Sequence, residues 1–306
     1  MEKVTIIVPT YNREEVLCNT IRYLLHQDFP EYEILVIDQT IKHTVETARF
    51  LENVPSNVKI INHQPPSLTA ARNSGIREAK GEIIIMVDDD VILKRDFISQ
   101  HLKYYGDPNI VGVAGRVELE ARFINKPPAF IKSEFIEWIS YYQFQGNVER
   151  DAYRMVGCNF SFRKDLALKT GLFDTNFIGT AWGEDYDFSL HLKNGGLKII
   201  YSPDAAVLHL AIRDGGCGSR NRFDLNTIYS KSHNLAYLIE KNRINRLTYL
   251  YLLIYIYIQL FIKREYFSFK GLFFFIRGNF FFIKGFLNGF KKGKEKALDG
   301  LKHQSL

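Results

Sequence analysis

Gly81-Glu82-Ile83-Ile84-Ile85-Met86-Val87-Asp88-Asp89-Asp90 is the stretch on which the fold class turns. Ile83 to Val87 is an unbroken apolar run, the pattern of a strand buried on both faces, as in a parallel sheet. Three carboxylates follow without a spacer. In an open α/β sheet, ligands collect outside the carboxyl ends of the strands. Carboxylates at i and i+2 can share a divalent cation, and Mg2+ or Mn2+ accepts such oxygens while keeping a substrate phosphate as a further ligand. A solvated acidic turn is the plain alternative. Three adjacent like charges repel, however, and a turn gains nothing from them.

Working back towards the N-terminus, Val4-Thr5-Ile6-Ile7-Val8 reads as a buried strand ended by Pro9-Thr10-Tyr11-Asn12. Residues 13–27 carry Val16, Ile21, Leu24 and Leu25 at helical spacing. Tyr32 to Ile37 is the next strand, closed by Asp38. A helical segment to about Leu51, a strand at Val58 to Ile61 and a small-residue helix at Leu68 to Ile76 follow. Such alternation predicts a doubly wound, mostly parallel α/β sheet of Rossmann-like type. Right-handed crossovers put the strand ends on one rim, so Asp38, Asp88 and Asp90 should share it with Pro9-Thr10-Tyr11. The first strand lacks both Gly-x-Gly-x-x-Gly and Gly-Lys-Ser/Thr, which excludes a dinucleotide fingerprint and a P-loop. Tyr11 offers an aromatic face for a planar base or simply packs.

Beyond the acidic strand, Phe97 to Tyr105 reads as helix and Ile110 to Val117 as strand. Residues 118–155 lose the pattern. Pro127-Pro128 and the aromatics Trp138, Tyr141, Tyr142 and Phe144 suggest an irregular insertion whose rings pack or stack on a sugar. Met155 to Arg163 reads as another strand, and Phe188, Leu190 and Leu192 mark a helix opened by Glu184 and Asp185. First-turn carboxylates suit a helix dipole, and one of them could equally be a base. Lys198 to Tyr201 and Ala205 to Leu210 read as two short strands, the second carrying His209, which taken alone is a core histidine or a ligand. In the loop that follows, Arg213, Arg220 and Arg222 beside three glycines fit a mobile phosphate clamp.

The chain has 306 residues, 46% hydrophobic and 24% charged, enough for one large domain with an appendage. Cys18, Cys158 and Cys217 are far apart and odd in number, which fits a reducing cytoplasm without a disulfide framework. With strand-like residues from Val4 onward, no secretory signal is expected. The net charge of +6 is uneven. Residues 241–306 hold 13 Lys and Arg against 3 Asp and Glu, whereas residues 1–240 hold 27 against 31. The basic excess therefore belongs to the tail and points to an anionic membrane surface rather than nucleic acid. Residues 223–246 read as a polar helix. Leu247 to Ile262 is apolar for 16 residues, just short of a bilayer span. Leu272 to Phe290 is Phe-rich, and four lysines follow it. The tail is thus either a packed helical hairpin, on this chain or a second subunit, or a membrane-surface element, and the flanking cations favour the surface.

Taken in order over residues 3–210, these stretches resemble the family 2 glycosyltransferases, inverting enzymes with a GT-A fold. The matching segments are VTIIVPTYNR from Val4 to Arg13, Asp38, Ala70-Ala71-Arg72-Asn73, Asp88-Asp89-Asp90, Gly171-Leu172-Phe173-Asp174, Gly183-Glu184-Asp185 and the strand ending in His209. Gly-Gly-Cys at 215–217 resembles the rhamnosyltransferase-like branch; Leu172 departs from the second glycine usual in the family. The resemblance implies a nucleotide-sugar pocket of Pro9, Thr10, Tyr11, Arg13, Asp38, Arg72, Asp88 and Asp89. Within it, Asp38 would accept from the base and Asp88 would face the ribose. Asp90 and His209 would hold Mg2+ or Mn2+, and Asp185 would be the catalytic base with Glu184 as the alternative. It further implies a catalytic domain over 1–222 and a helical region over 223–306. The function implied is transfer of a hexosyl or deoxyhexosyl group to a carbohydrate or lipid-linked acceptor in cell-surface polysaccharide or glycolipid assembly. The expected place is the inner face of the plasma membrane, and the pattern is compatible with oligomerisation. A non-catalytic nucleotide-sugar- or membrane-binding protein is the alternative.

Overall fold

The structure, a computed structural model, describes residues 3–119, 144–193, 196–212, 214–217, 224–244, 254, 257 and 269–304, without the side chains of 269–274 and 300–304. The chain packs as two compact units. The first is residues 1–173 with 188–216; the second is 174–187 with 217–306. Asp174–Asp187 therefore groups with the C-terminal region rather than with the sequence around it.

Among the described residues, the first unit is built on a nine-stranded sheet. Its N-terminal part is β1 (Val4–Thr10), β2 (Tyr32–Asp38), β3 (Val58–Asn62) and β4 (Ile83–Val87), all mutually parallel in the order β3-β2-β1-β4. Every residue of β1 and β4 is buried, as the continuous apolar runs require. Helices α1 (Glu15–Leu25), α2 (Val45–Glu52) and α3 (Leu68–Glu78) connect these strands. Two are capped as sequence chemistry predicts, with Thr44 accepting from Thr47 N and Ser67 from Ala70 N.

After β5 (Val91–Leu93) and α4 (Phe97–Leu102) come β6 (Ile110–Leu119), β7 (Arg150–Ala152), β8 (Asn159–Arg163) and α5 (Lys164–Thr170). The C-terminal half of the sheet is mixed. β8 runs antiparallel between β4 and β6, and β9 (Lys198–His209) runs parallel to β6 but antiparallel to β5 and β7. Two sequence expectations change here. Met155 to Cys158 is a turn leading into β8, and the segments expected as two strands at 198–201 and 205–210 are one strand. Between the Gly115–Ser202 and Arg116–Ala206 pairs a register shift absorbs Pro203, Asp204 and Ala205 without ending the strand. Of the residues that mark the irregular insertion, Phe144 is buried against Tyr201, whereas Pro127, Pro128, Trp138, Tyr141 and Tyr142 lie outside the described residues.

Helix α6 (Glu184–Leu192) begins in the second unit, which is otherwise formed by α7 (Leu225–Lys241) and α8 (Phe269–Gln304). The sequence reads α7 as polar, yet Ser230, Ser232, His233 and Asn234 are buried with Leu235 to Ile239. Two facts reconcile this. Asn234 accepts from Ile178 N and donates to Ile178 O, so its burial leaves no amide unsatisfied. And α8 presents Gly285, Gly289 and Gly293, where any Cβ would run into the carbonyl oxygens of Tyr229, His233 and Tyr237. The two helices thus approach almost backbone to backbone. Beside them Lys241 pairs with Asp174 at 2.8 Å and Asp187 at 2.7 Å, and Tyr237 donates to Asp174. Among the described residues no helix is long and apolar enough to cross a membrane. Of the apolar segment 247–262, only Ile254 and Tyr257 are described.

Candidate functional site

The carboxyl ends of β1, β2 and β4 lie side by side, with Thr10 in register with Asp38. Asp38 is buried and already engaged, since its carboxylate takes the Thr40 backbone N–H at 2.9 Å and lies 2.8 Å from His43 Nε2. Pro9 and Thr10 are buried, and Tyr11 is half-buried at the strand's edge.

The three aspartates lie in the turn between β4 and β5 and take different tasks. Asp89 turns inward, accepting from Thr10 Oγ1 at 2.7 Å and facing Arg13 Nε at 3.3 Å. Burial pushes its carboxyl up to about 7, with Arg13 and Thr10 pulling the other way. Asp88 and Asp90 turn together towards His209. The cause is topological: Val91, next after Asp90, is the register partner of His209 across the β5–β9 pair. Leu210 N donates to Asp90 O, fixing the two ends together. His209 Nε2 stands 3.1 Å from Asp90 Oδ1 and 3.7 Å from Asp88 Oδ2. Burial alone would raise the Asp90 pKa, but His209, the Ile212 N–H and Arg13 hold it below the usual carboxylate value.

Asp88, Asp90 and His209 can each offer one ligand atom, and these atoms all lie within 4.8 Å of one another. That spread is close to what one cation with bonds of about 2.2 Å could bridge. Two carboxylates and one imidazole fit a divalent cation that takes oxygen and nitrogen together, so the residues present suit the metal the sequence called for.

Arg72 and Arg13, both expected near the nucleotide, are committed to protein groups. Arg72 is 1% exposed, lies across the Phe160 and Phe173 rings, donates to Gly157 O at 2.8 Å and reaches to 4.0 Å from Asp88. Arg13 ties the acidic strand to the segment after His209, donating to Ile212 O at 3.2 Å and to Asp214 O. The same segment is held by Gly216 N, which donates to Tyr11 O at 2.7 Å. Gly215, at φ +79°, packs so closely on Asn12 that a Cβ would strike its carbonyl. Arg213, Arg220 and Arg222 lie outside the described residues.

Two groups here escape sequence reading. Thr20 in α1 has its hydroxyl at 2.9 Å from Asp89 O and 3.2 Å from Val91 O, pinning the acidic turn, and nothing in an ordinary helix marks it. Asn73 forms a two-way clamp on the Phe173 backbone, so its place in the Ala-Ala-Arg-Asn stretch serves packing. Glu184 and Asp185 open α6 in the second unit. Glu184 is buried; Asp185 is half-buried and accepts from Tyr186 N at 2.8 Å.

Comparison with known proteins settles the family. The model described as Glycosyl transferase family 2 matches residues 5–171, more than half of the chain. The chain belongs to glycosyl transferase family 2. The matched segment of this family 2 chain carries the sheet ends, Arg13, Arg72 and all three aspartates, while His209 and Asp185 lie beyond it. Among curated relatives it is 27% identical over 222 residues to the dolichyl N-acetyl-alpha-D-glucosaminyl phosphate 3-beta-D-2,3-diacetamido-2,3-dideoxy-beta-D-glucuronosyltransferase of Methanococcus voltae. That match takes in 67% of this chain and 65% of the relative. It is 25% identical over 221 residues to the glucosyl-dolichyl phosphate glucuronosyltransferase of Haloferax volcanii, covering 68% of this chain and 69% of that one. Among solved structures, the mannosyltransferase PcManGT from Pyrobaculum calidifontis, in complex with GDP-Man and Mn2+, aligns with a TM-score of 0.57 at 17% identity. The alignment covers 92% of this chain and 74% of that one. The fold is GT-A, an α/β sheet with a C-terminal helical region, as the sequence implied.

Proposed function

We propose that this family 2 chain moves a sugar from a nucleoside-diphosphate sugar to a hydroxyl acceptor, with inversion, in the assembly of a lipid-linked or cell-surface glycan. The observation that carries the proposal is the convergence of Asp88, Asp90 and His209 at the carboxyl rim of the sheet. The names of the Methanococcus voltae and Haloferax volcanii relatives, both of which specify a dolichyl phosphate-linked sugar, support the acceptor class.

In this reading Asp90 and His209 hold the divalent cation, and Asp88 either completes the set or takes the ribose. When bound, the cation supplies positive charge for the departing diphosphate. Asp38, Tyr11 and the Pro9-Thr10 end of β1 form the base and ribose side of the pocket. Arg72 keeps Asp88 and Gly157 in place from behind. Asp185 takes the proton of the acceptor hydroxyl as its oxygen attacks the anomeric carbon, and the bond to the diphosphate oxygen breaks. One base and one displacement give inversion, with no second carboxylate flanking the bond. Residues 1–222 would form the catalytic domain, with the basic tail laying the protein on an anionic, cytoplasm-facing membrane surface.

The test is a donor screen with UDP-, dTDP- and GDP-sugars, scored by released nucleoside diphosphate, on wild type and Asp185→Asn. We expect one donor class to release nucleotide and Asp185→Asn to lower turnover by about a hundredfold or more while still binding it. Donor binding without release by the wild type, under any acceptor tried, would make the protein a binding module instead.

A further inference from the structure

A helix on the surface of a globular unit normally has one apolar face. Helix α8 has two. One is the face packed on α7, where Gly278, Phe282, Gly285, Gly289 and Gly293 are buried. The other lies opposite. Ile276, Phe280, Ile283 and Leu287 are 63%, 64%, 58% and 59% exposed. At about 100° per residue these four fall within a stripe about 60° wide, close to diametrically opposite the glycine row. Phe290, stacked on Phe286, prolongs the stripe. A row of large apolar side chains held out of the unit in this way marks a surface made to be covered.

Charge decides what covers it. Arg277, Lys284 and Lys291 each follow a stripe residue by one position, giving a cationic border at seven-residue spacing. Lys294 continues the stripe, and no Asp or Glu occurs from Phe269 to Lys294. The spacing of four, three and four residues would also suit a coiled-coil seam with a second copy. In a parallel pair, though, the border cations would meet Leu272, Asn279 and Phe286, none of them acidic. In an antiparallel pair they would meet each other. Self-association thus gains nothing from these charges, whereas a bilayer offers an apolar interior edged by phosphates.

We propose that the outer stripe of α8 is the face that lies on an anionic lipid bilayer, with Ile276, Phe280, Ile283 and Leu287 at the acyl boundary. Arg277, Lys284 and Lys291 sit at the level of the phosphates. This rests on the membrane-surface reading above and assigns it a face. The glycine row fits the same purpose, because tight seating on α7 keeps the stripe turned outward.

The experiment is co-sedimentation of the full chain with vesicles of phosphatidylcholine alone or mixed with phosphatidylglycerol. The variants are Ile283→Ser/Leu287→Ser, Phe280→Ser, Lys284→Ser/Lys291→Ser and, off the stripe, Lys296→Ser. Thermal melting verifies that each is folded. Wild type should bind the anionic vesicles. Ile283→Ser/Leu287→Ser should bind about tenfold less or weaker still, given the apolar area removed from the interface. Lys284→Ser/Lys291→Ser should bind less and lose salt sensitivity, and Lys296→Ser should differ little from wild type. If wild type binds and both stripe variants bind equally well, the face is wrong and membrane association, if real, lies elsewhere. If wild type ignores all vesicles, the membrane reading falls with it. A wild-type dimer that Ile283→Ser/Leu287→Ser turns to monomer would then make the stripe a seam between copies.

Discussion

Arg13 Nε faces Asp89 Oδ1 at 3.3 Å, and both side chains are buried. The pair links the acidic turn to a segment about 125 residues further along the chain, because the other guanidinium nitrogens of Arg13 hold the carbonyls of Ile212 and Asp214. Asp90 and His209 flank this bridge in sequence, so it reinforces the approach that the β5–β9 register sets.

The first prediction concerns that bridge. Removing one member leaves the other buried and unpaired, typically a loss of about 3–5 kcal/mol, eased for Asp89 by the proton its raised pKa lets it take up. Arg13→Met and Asp89→Asn should each destabilise the first unit, with the arginine variant worse. The double variant should lose less than the two single losses combined. Chemical denaturation of the four proteins checks this, and strict additivity would show the pair to be uncoupled.

Acid should weaken the first unit through His101. Its ring is fully buried between Ser161 Oγ and Asn159 Oδ1, and burial lowers its pKa from 6.5 to about 4. As pH falls below 6.5, the unfolded chain takes up a proton that the folded one refuses. Stability should therefore decline between about 6.5 and 4 and level off below, by up to roughly 3 kcal/mol. His101→Gln should flatten that slope, read from unfolding midpoints against pH. An unchanged slope would place the titration elsewhere.

In the second unit Asp174 is an acid-sensitive group. Burial would raise its pKa, but Lys241, with help from Tyr237, overrides that and holds the carboxyl well below its ordinary 3.8. Its contribution is present above about pH 4 and is lost as pH falls below that value. Lys241→Met leaves Asp174 and Asp187 without their shared cation and should cost about 3 kcal/mol or more at neutral pH. That variant should regain stability on mild acidification, the opposite of wild type. Thermal scans across pH 3–7 would show the crossing or its absence.

Much of this was legible in sequence for a physical reason. Buried parallel strands need continuous apolar residues, so β1, β2 and β4 announce themselves, and the parallel crossover rule places Asp38 and the acidic triplet on one rim. Strand direction beyond β4 was not legible, since nothing local to Asn159–Arg163 says that it runs antiparallel. The burial of Ser232, His233 and Asn234 was hidden because polar residues read as solvated, and the glycines that close α8 over them lie some fifty residues away. Arg13 shows the same limit. The resemblance puts it in the nucleotide-sugar pocket, while its contacts with the Ile212 and Asp214 carbonyls carry no sequence signal.

The central claim is that Asp88, Asp90 and His209 form a divalent-cation site that serves a nucleoside diphosphate. Calorimetric titration of UDP and GDP, with Mn2+ and with excess chelator, tests it most directly on wild type and Asp90→Asn. The account predicts that Mn2+ tightens nucleotide binding to wild type by about tenfold or more and leaves Asp90→Asn unmoved. Equal wild-type affinity with Mn2+ and with chelator would contradict it.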